Sequence, residues 1–100
     1  MISYNTEEDL NQHFIQAAES IIALKGKLTQ DEMIILYGLY KQTLLGNNTT
    51  PIPSLIAQKE RHKWQAWTTH RGKLKRVARE EYILLANTII TSGRLIGGQS

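Results

Sequence analysis

Apolar residues recur along most of this 100-residue chain at intervals of three and four, and no sustained alternation marks a strand. Leu10, Phe14, Ala17, Ala18 and Ile21 form the first such stripe. Ahead of it, Thr6 with Asp9 resembles a capping box, and acids in the first turn suit the helix dipole. Gly26 marks the expected end of that helix. A second stripe (Met33, Leu36, Tyr37, Tyr40, Leu44) follows the box Thr29–Glu32 and stops at Gly46. Pro51 and Pro53 forbid a helix over 46–57, which reads as one ordered, extended loop. Within it, Ile52, Leu55 and Ile56 are apolar enough to pin the loop to the body. A third helix is predicted from about Gln58 to Arg71, ending at Gly72. The fourth runs from about Leu74 to Thr91, packing through Val77, Ala78, Tyr82, Leu85 and Ile89. Three glycines between Thr91 and Ser100 predict a frayed tail. The expected fold class is all-α: four helices with a long ordered loop between the second and third.

Composition adds limits to this picture. The length suits one small domain with a modest core. Cysteine is absent, so no disulfide framework or thiolate metal site is available. The first residues lack the basic start and apolar run of a signal peptide, and no apolar stretch nears the roughly 20 residues that span a bilayer. The expectation is a soluble cytoplasmic protein, monomeric because no coiled-coil seam or large apolar patch is evident. Net charge is +3, unevenly spread. Eight of the twelve Lys and Arg residues lie between Lys59 and Arg79, where Glu60 is the sole acid. Such a field draws anions to one side of a small domain. Nucleic acid, an acidic membrane surface and a phosphorylated ligand are all compatible with it.

Candidate chemistry concentrates in the second and third helices. Tyr37, Tyr40 and Lys41 stand three and four residues apart, so two phenol rings and an ammonium share a helical face. A ring to stack on a base beside a cation for a phosphate suits a nucleotide-like ligand. On spacing alone, core packing is the commoner role for such tyrosines; Lys41 and the basic segment shift the balance toward a site. Trp64 and Trp67 read first as interhelical core. Lys63 is expected on a different face from Trp67, where a lone lysine is ordinarily solvated. His13, His62 and His70 lack metal-ligand spacing, so no metal site is expected. No nucleophile elbow, phosphate loop or catalytic carboxylate pair occurs, and an enzyme is not expected.

Taken in order, several segments resemble the acyl-CoA-binding protein family. They are Phe14-Ile15-Gln16-Ala17-Ala18-Glu19, Thr29-Gln30-Asp31-Glu32-Met33, Leu36-Tyr37-Gly38-Leu39-Tyr40-Lys41-Gln42, Gly46-Asn47, Pro53, Lys63-Trp64-Gln65-Ala66-Trp67, Gly72, Ala78 and Tyr82-Ile83. The resemblance spans about Phe14 to Ile89. It implies a four-helix bundle over residues 6–91, with 92–100 as a flexible tail. It also implies non-enzymatic binding and transport of long-chain acyl-CoA such as palmitoyl-CoA, with no cofactor. Position by position, it assigns Tyr37, Tyr40 and Lys41 to the adenosine 3′-phosphate end, Tyr40 against adenine and Lys41 at the phosphate. Lys63 would approach the phosphates and Tyr82 the adenine and ribose. Phe14, Ala18, Met33 and Ile34 would surround the head group and acyl groove, with Lys59 at the groove's edge. Several positions depart from the family pattern. Ile22, itself a site position, stands where many members carry a lysine; Leu44, Gln58, Glu60 and His62 also differ. The alternative is a helical module binding nucleic acid or a protein partner through the basic 59–79 segment. A diverged member without acyl-CoA binding is a third reading.

Overall fold

Both predicted helix starts in the first half are built by side-chain caps. Thr6 Oγ1 accepts the Asp9 N–H at 3.0 Å, while the Asp9 carboxylate accepts from Asn5 N rather than completing the box on Thr6. At Thr29 the box is reciprocal: Thr29 Oγ1 takes the Glu32 N–H and Glu32 Oε1 takes the Thr29 N–H, at 3.0 and 2.9 Å. A computed structural model describes residues 4–92. Among these it has helices α1 (Glu7–Ala23), α2 (Gln30–Leu45), α3 (Gln58–Thr68) and α4 (Lys75–Ile90), and no strand. The predicted frayed tail lies, beyond Ser92, outside the described residues.

Helix boundaries follow local physics. Instead of running to Gly26, α1 stops at Ala23 and tightens into a 3₁₀ turn, Lys25–Lys27, after buried Leu24. Gly46 and Gly72, with φ of 79° and 87°, do terminate segments in the left-handed conformation that glycine enters without a Cβ clash. The predicted third helix runs past its real end, because from Thr69 onward the chain closes tight turns such as His70 N–H to the Trp67 carbonyl.

The core gathers α1, α2 and α4. Leu10, Phe14 and Ala17 meet Leu36 and Leu39 around Ala78, Tyr82, Ile83, Ala86 and Ile89. Thus α1 and α2 both lie on α4, while α3 packs on α2. The second stripe divides between two roles. Leu36 is buried, but Met33, Tyr40 and Leu44 are exposed, and Leu39, Gln42 and Thr43 take the buried places. On α4, Ile83 and Ala86 join the predicted positions because all of that helix's inner surface is covered by α1 and α2.

The long loop is held differently from the sequence expectation. Ile52, Leu55 and Ile56 do not pin it: they are 50%, 75% and 91% exposed. Polar contacts fix the loop instead. Asn48 is buried, donating to Thr68 Oγ1 and the Trp64 carbonyl while accepting from the Thr50 N–H and hydroxyl. Trp64 Nε1 donates to the Thr50 carbonyl (2.9 Å), Arg61 to the Pro53 carbonyl (2.8 Å) and Trp67 Nε1 to the Gly46 carbonyl (2.7 Å). Loop carbonyls facing α3 need donors, and these side chains supply them.

Candidate ligand-binding site

Gly38 sets the site's geometry. A Cβ built there would lie 2.5 Å from the Ala66 carbonyl oxygen, so only glycine lets α3 approach α2 this closely. The approach brings Lys63 and Trp67, four residues apart on α3, against Tyr37 and Lys41, four apart on α2. Lys63 Nζ stands 4.8 Å from the Tyr37 ring centroid. Lys41 Nζ stands 5.8 Å from the same ring and 5.0 Å from the Trp67 ring. Lys63 therefore shares its face with Trp67, contrary to the sequence expectation. Cation–π attraction in this range stabilises both ammonium groups beside an aromatic wall.

Three recesses meet at Tyr37. The first, of about 310 Å³, lies between α1 and α2 and is mostly apolar. Ala18, Ile21, Ile22, Leu28, Met33 and Leu36 give its walls; Tyr37, Tyr40, Tyr82 and Lys25 complete it. A second, of about 300 Å³, lies between α2, α3 and the loop, with Lys41, Lys63, Trp64, Trp67 and Glu60 around Thr50, Pro51 and Pro53. The third, of about 290 Å³, brings Lys25, Lys59 and Lys63 together with Gln30, Met33 and Ile34. Tyr37 is part of the lining of all three.

The predicted residues thus come together around one ridge, but not on one surface. Tyr40 and Lys41 are consecutive and point about 100° apart around α2. Tyr40 faces the apolar recess and Lys41 the lysine-rich side, with Tyr37 between them. Phe14 is buried and absent from the lining. It stacks on Tyr40 (centroids 5.8 Å apart, 26° between planes) and meets Tyr82 edge-on at 5.1 Å. Its role is to back the aromatic wall that Tyr40 and Tyr82 present. Burial, reinforced by the neighbouring Tyr40, pushes the Tyr82 phenol up to about 12, so it stays a neutral hydrogen-bonding group. Of the interhelical-core assignments, Trp67 is buried, whereas Trp64 is half-buried in the second recess.

Lys25 is the residue the sequence pattern does not single out. It lies in the wall of both the apolar and the lysine-rich recess. One signal was available: it follows groove-lining Ile21 and Ile22 by four and three residues. The 3₁₀ turn that carries it is not visible as a helical repeat. Ile22 itself is 71% exposed at the apolar recess, a methyl-rich mouth where a lysine would have added charge.

The basic run divides in two. Lys73 pairs with Glu81 (2.6 Å), Arg76 with Glu7 and Glu80 (3.4 Å each), and Arg79 with Glu7 (3.1 Å). Among the described residues, Lys41, Lys59, Arg61 and Lys63 have no carboxylate partner within ion-pair distance. Arg71 and Lys75 likewise lack one among the described residues, so unneutralised positive charge lies around the Tyr37 ridge and the start of α3 and also at the turn into α4.

Apolar groove, tyrosine ridge and lysine cluster define an all-α binding domain suited to an elongated ligand with an apolar part and an anionic part. The family profile described as "Acyl CoA binding protein" matches residues 11–86. Acyl-CoA-binding protein from Saccharomyces cerevisiae is 37% identical over 81 residues, covering 81% of this chain and 93% of that protein. The acyl-CoA-binding protein homolog of Drosophila melanogaster is 35% identical over the same length, covering 81% and 94%. A crystal structure of Oryza sativa Acyl-CoA-Binding Protein 2 superposes with a TM-score of 0.80 at 32% identity, covering 91% of this chain and 99% of the rice chain. This chain belongs to the acyl-CoA-binding protein family.

Proposed function

We propose that the protein binds long-chain acyl-CoA esters and carries them without chemical change. The observation that supports this most is the position of Tyr37. It joins an apolar groove to two lysine-bearing recesses within one short ridge, as a ligand with a long hydrocarbon chain and a triply phosphorylated head requires. In this reading Tyr37, Tyr40, Lys41, Lys63 and Tyr82 hold the adenosine 3′-phosphate end. Ala18, Ile22, Met33 and Ile34 contact the rest of the head group and the chain, with Phe14 behind Tyr40 and Tyr82. Lys59 edges the groove, and Lys25 adds a cation near Ile22. Residues 6–91 are proposed as the binding domain. Palmitoyl-CoA is the proposed type of ligand, a cytoplasmic monomer the proposed state.

Energetics favour long chains. Each methylene removed from water contributes about 0.8 kcal/mol, so burying about fourteen yields roughly 11 kcal/mol before the costs of association. No single lysine–phosphate contact matches that. The nucleic-acid alternative is weaker, because Lys73, Arg76 and Arg79 of the basic run are taken up in ion pairs within the fold.

Calorimetric titration with palmitoyl-CoA, octanoyl-CoA and free CoA tests the proposal. The expected result is one-to-one binding that is tightest for palmitoyl-CoA and weakest for free CoA. Equal affinities would remove the acyl groove from the reading, and no binding of any of the three would refute it.

A further inference from the structure

Ile52, Leu55 and Ile56 have no part in the core, and the loop that carries them is held by other side chains. Backbone bonds from Ala57 to the Ser54 carbonyl and from Gln58 to the Ile56 carbonyl, at 3.0 and 2.9 Å, tighten the segment. Ser54 Oγ accepts the Ile56 N–H at 3.2 Å. Arg61, bonded to the Pro53 carbonyl, holds its base. The turn is thus fixed with Leu55 and Ile56 outward, where each leaves a large aliphatic side chain in water. Immediately beside it, Leu55 shares a shallow recess with Gln58, Arg61, His62 and Gln65. Lys59 follows at the same helix start, while Lys63, a turn further on, faces the Tyr37 ring. Glu60, the one acid among them, lines the recess on the Thr50–Pro53 side.

We propose that this loop crest is a membrane-contact site that docks the protein on an anionic bilayer surface. Aliphatic side chains on a held turn can enter the headgroup–acyl boundary while flanking cations meet anionic headgroups. Charge decides the occupant. A second copy of the chain packed through the same crest would bring the Lys59 and Arg61 cations of both copies near one another, with no opposing carboxylates but Glu60. An anionic lipid surface matches both features at once. The apolar part of the inference does not depend on the acyl-CoA reading, since neither Leu55 nor Ile56 lines the Tyr37 recesses, whereas Lys59 borders one of them.

Co-sedimentation of the full chain with vesicles free of acyl-CoA tests it. One set is phosphatidylcholine alone; the other contains about 30 mol % phosphatidylserine. The full chain should partition to the anionic vesicles and lose partition as salt is raised. Leu55→Ala with Ile56→Ala should lower that partition by about tenfold or more. Leu84→Ala, a change at a side chain 62% exposed on α4, should leave it unaltered. Palmitoyl-CoA titration without vesicles, unchanged in the double variant, would show the fold and groove intact. Three results would overturn the proposal: no partition of the parent at low salt, equal partition by the double variant, or self-association through the loop without vesicle binding. A chain that partitions yet binds no palmitoyl-CoA would refute the carrier reading and leave this one standing.

Discussion

Lys41 is where residue-scale chemistry is most exposed to test. Its ammonium stands between the Tyr37 and Trp67 rings with no carboxylate partner, so a phosphate would be its strongest counter-charge. Lys41→Ala should weaken palmitoyl-CoA binding by about 2 kcal/mol, since a charge-assisted contact is worth about 1.5–3. Calorimetry against the parent checks this; unchanged affinity would move the phosphates elsewhere on the ridge. Tyr82 offers a pH test. Its phenol ionises near 12 in the fold and near 10 when unfolded, owing first to burial and second to Tyr40. The folded state therefore keeps the proton that the unfolded chain releases. That contribution to stability is complete below about pH 10 and is lost as pH rises toward about 12. Denaturant midpoints should fall across that window in the parent, and fall less steeply in Tyr82→Phe. At this scale the aromatic and basic residue types were legible in the sequence. The separation of Tyr40 from Lys41 onto two recesses was not, because it depends on a recess left between α1 and α2 on the Tyr40 side and on α3 packing against α2 on the Lys41 side.

Helix packing turns those residues into a site, and Gly38 is its most sensitive point. In an exposed helix, glycine to alanine gains about 1 kcal/mol of helix propensity. Here the new methyl meets the Ala66 backbone at 2.5 Å, and Ala66 belongs to a helix that cannot yield as a flexible side chain would. Gly38→Ala should cost about 1–3 kcal/mol net of that gain, read from chemical denaturation. It should also weaken ligand binding by displacing Lys63 from Tyr37. Asn48 plays the corresponding part for the loop. It is 1% exposed and carries four hydrogen bonds to Trp64, Thr68 and Thr50. Asn48→Ala strands those partners and should destabilise the fold by about 1–3 kcal/mol. Hydrogen exchange should accelerate in 46–57 ahead of the helices. Caps and glycine stops at Thr6, Thr29, Gly46 and Gly72 could be read along the chain, since each acts within a few residues. The loop's fastening could not, since Asn48 and Thr68 are twenty residues apart and meet only when α3 lies on α2.

Across the whole molecule, charge and apolar surface act on different ends of the proposed ligand. Salt screens the lysine cluster over roughly a Debye length, about 10 Å at 0.1 M, and leaves methylene burial largely untouched. Raising salt from about 0.05 to 0.5 M should weaken free-CoA binding. The free-energy gain from octanoyl-CoA to palmitoyl-CoA should stay nearly constant. Paired titrations at the two salt concentrations measure both quantities. A chain-length increment that shrinks with salt would place the hydrocarbon outside the groove.

By itself the sequence determined the class of fold and the residues of interest. Helical period, capping boxes and helix-stopping glycines are local, and the ordered family segments single out the tyrosines and lysines proposed for the site. Tertiary structure alone decided how those residues share space. It set Tyr37 as the ridge common to three recesses, brought Lys25 to the groove, and turned Phe14 into a buried support. It also drew Lys73, Arg76 and Arg79 of the basic run into ion pairs and left Leu55 and Ile56 in water. Each of these depends on contacts between helices distant in sequence, where side-chain direction and backbone approach, not residue type, determine which groups meet.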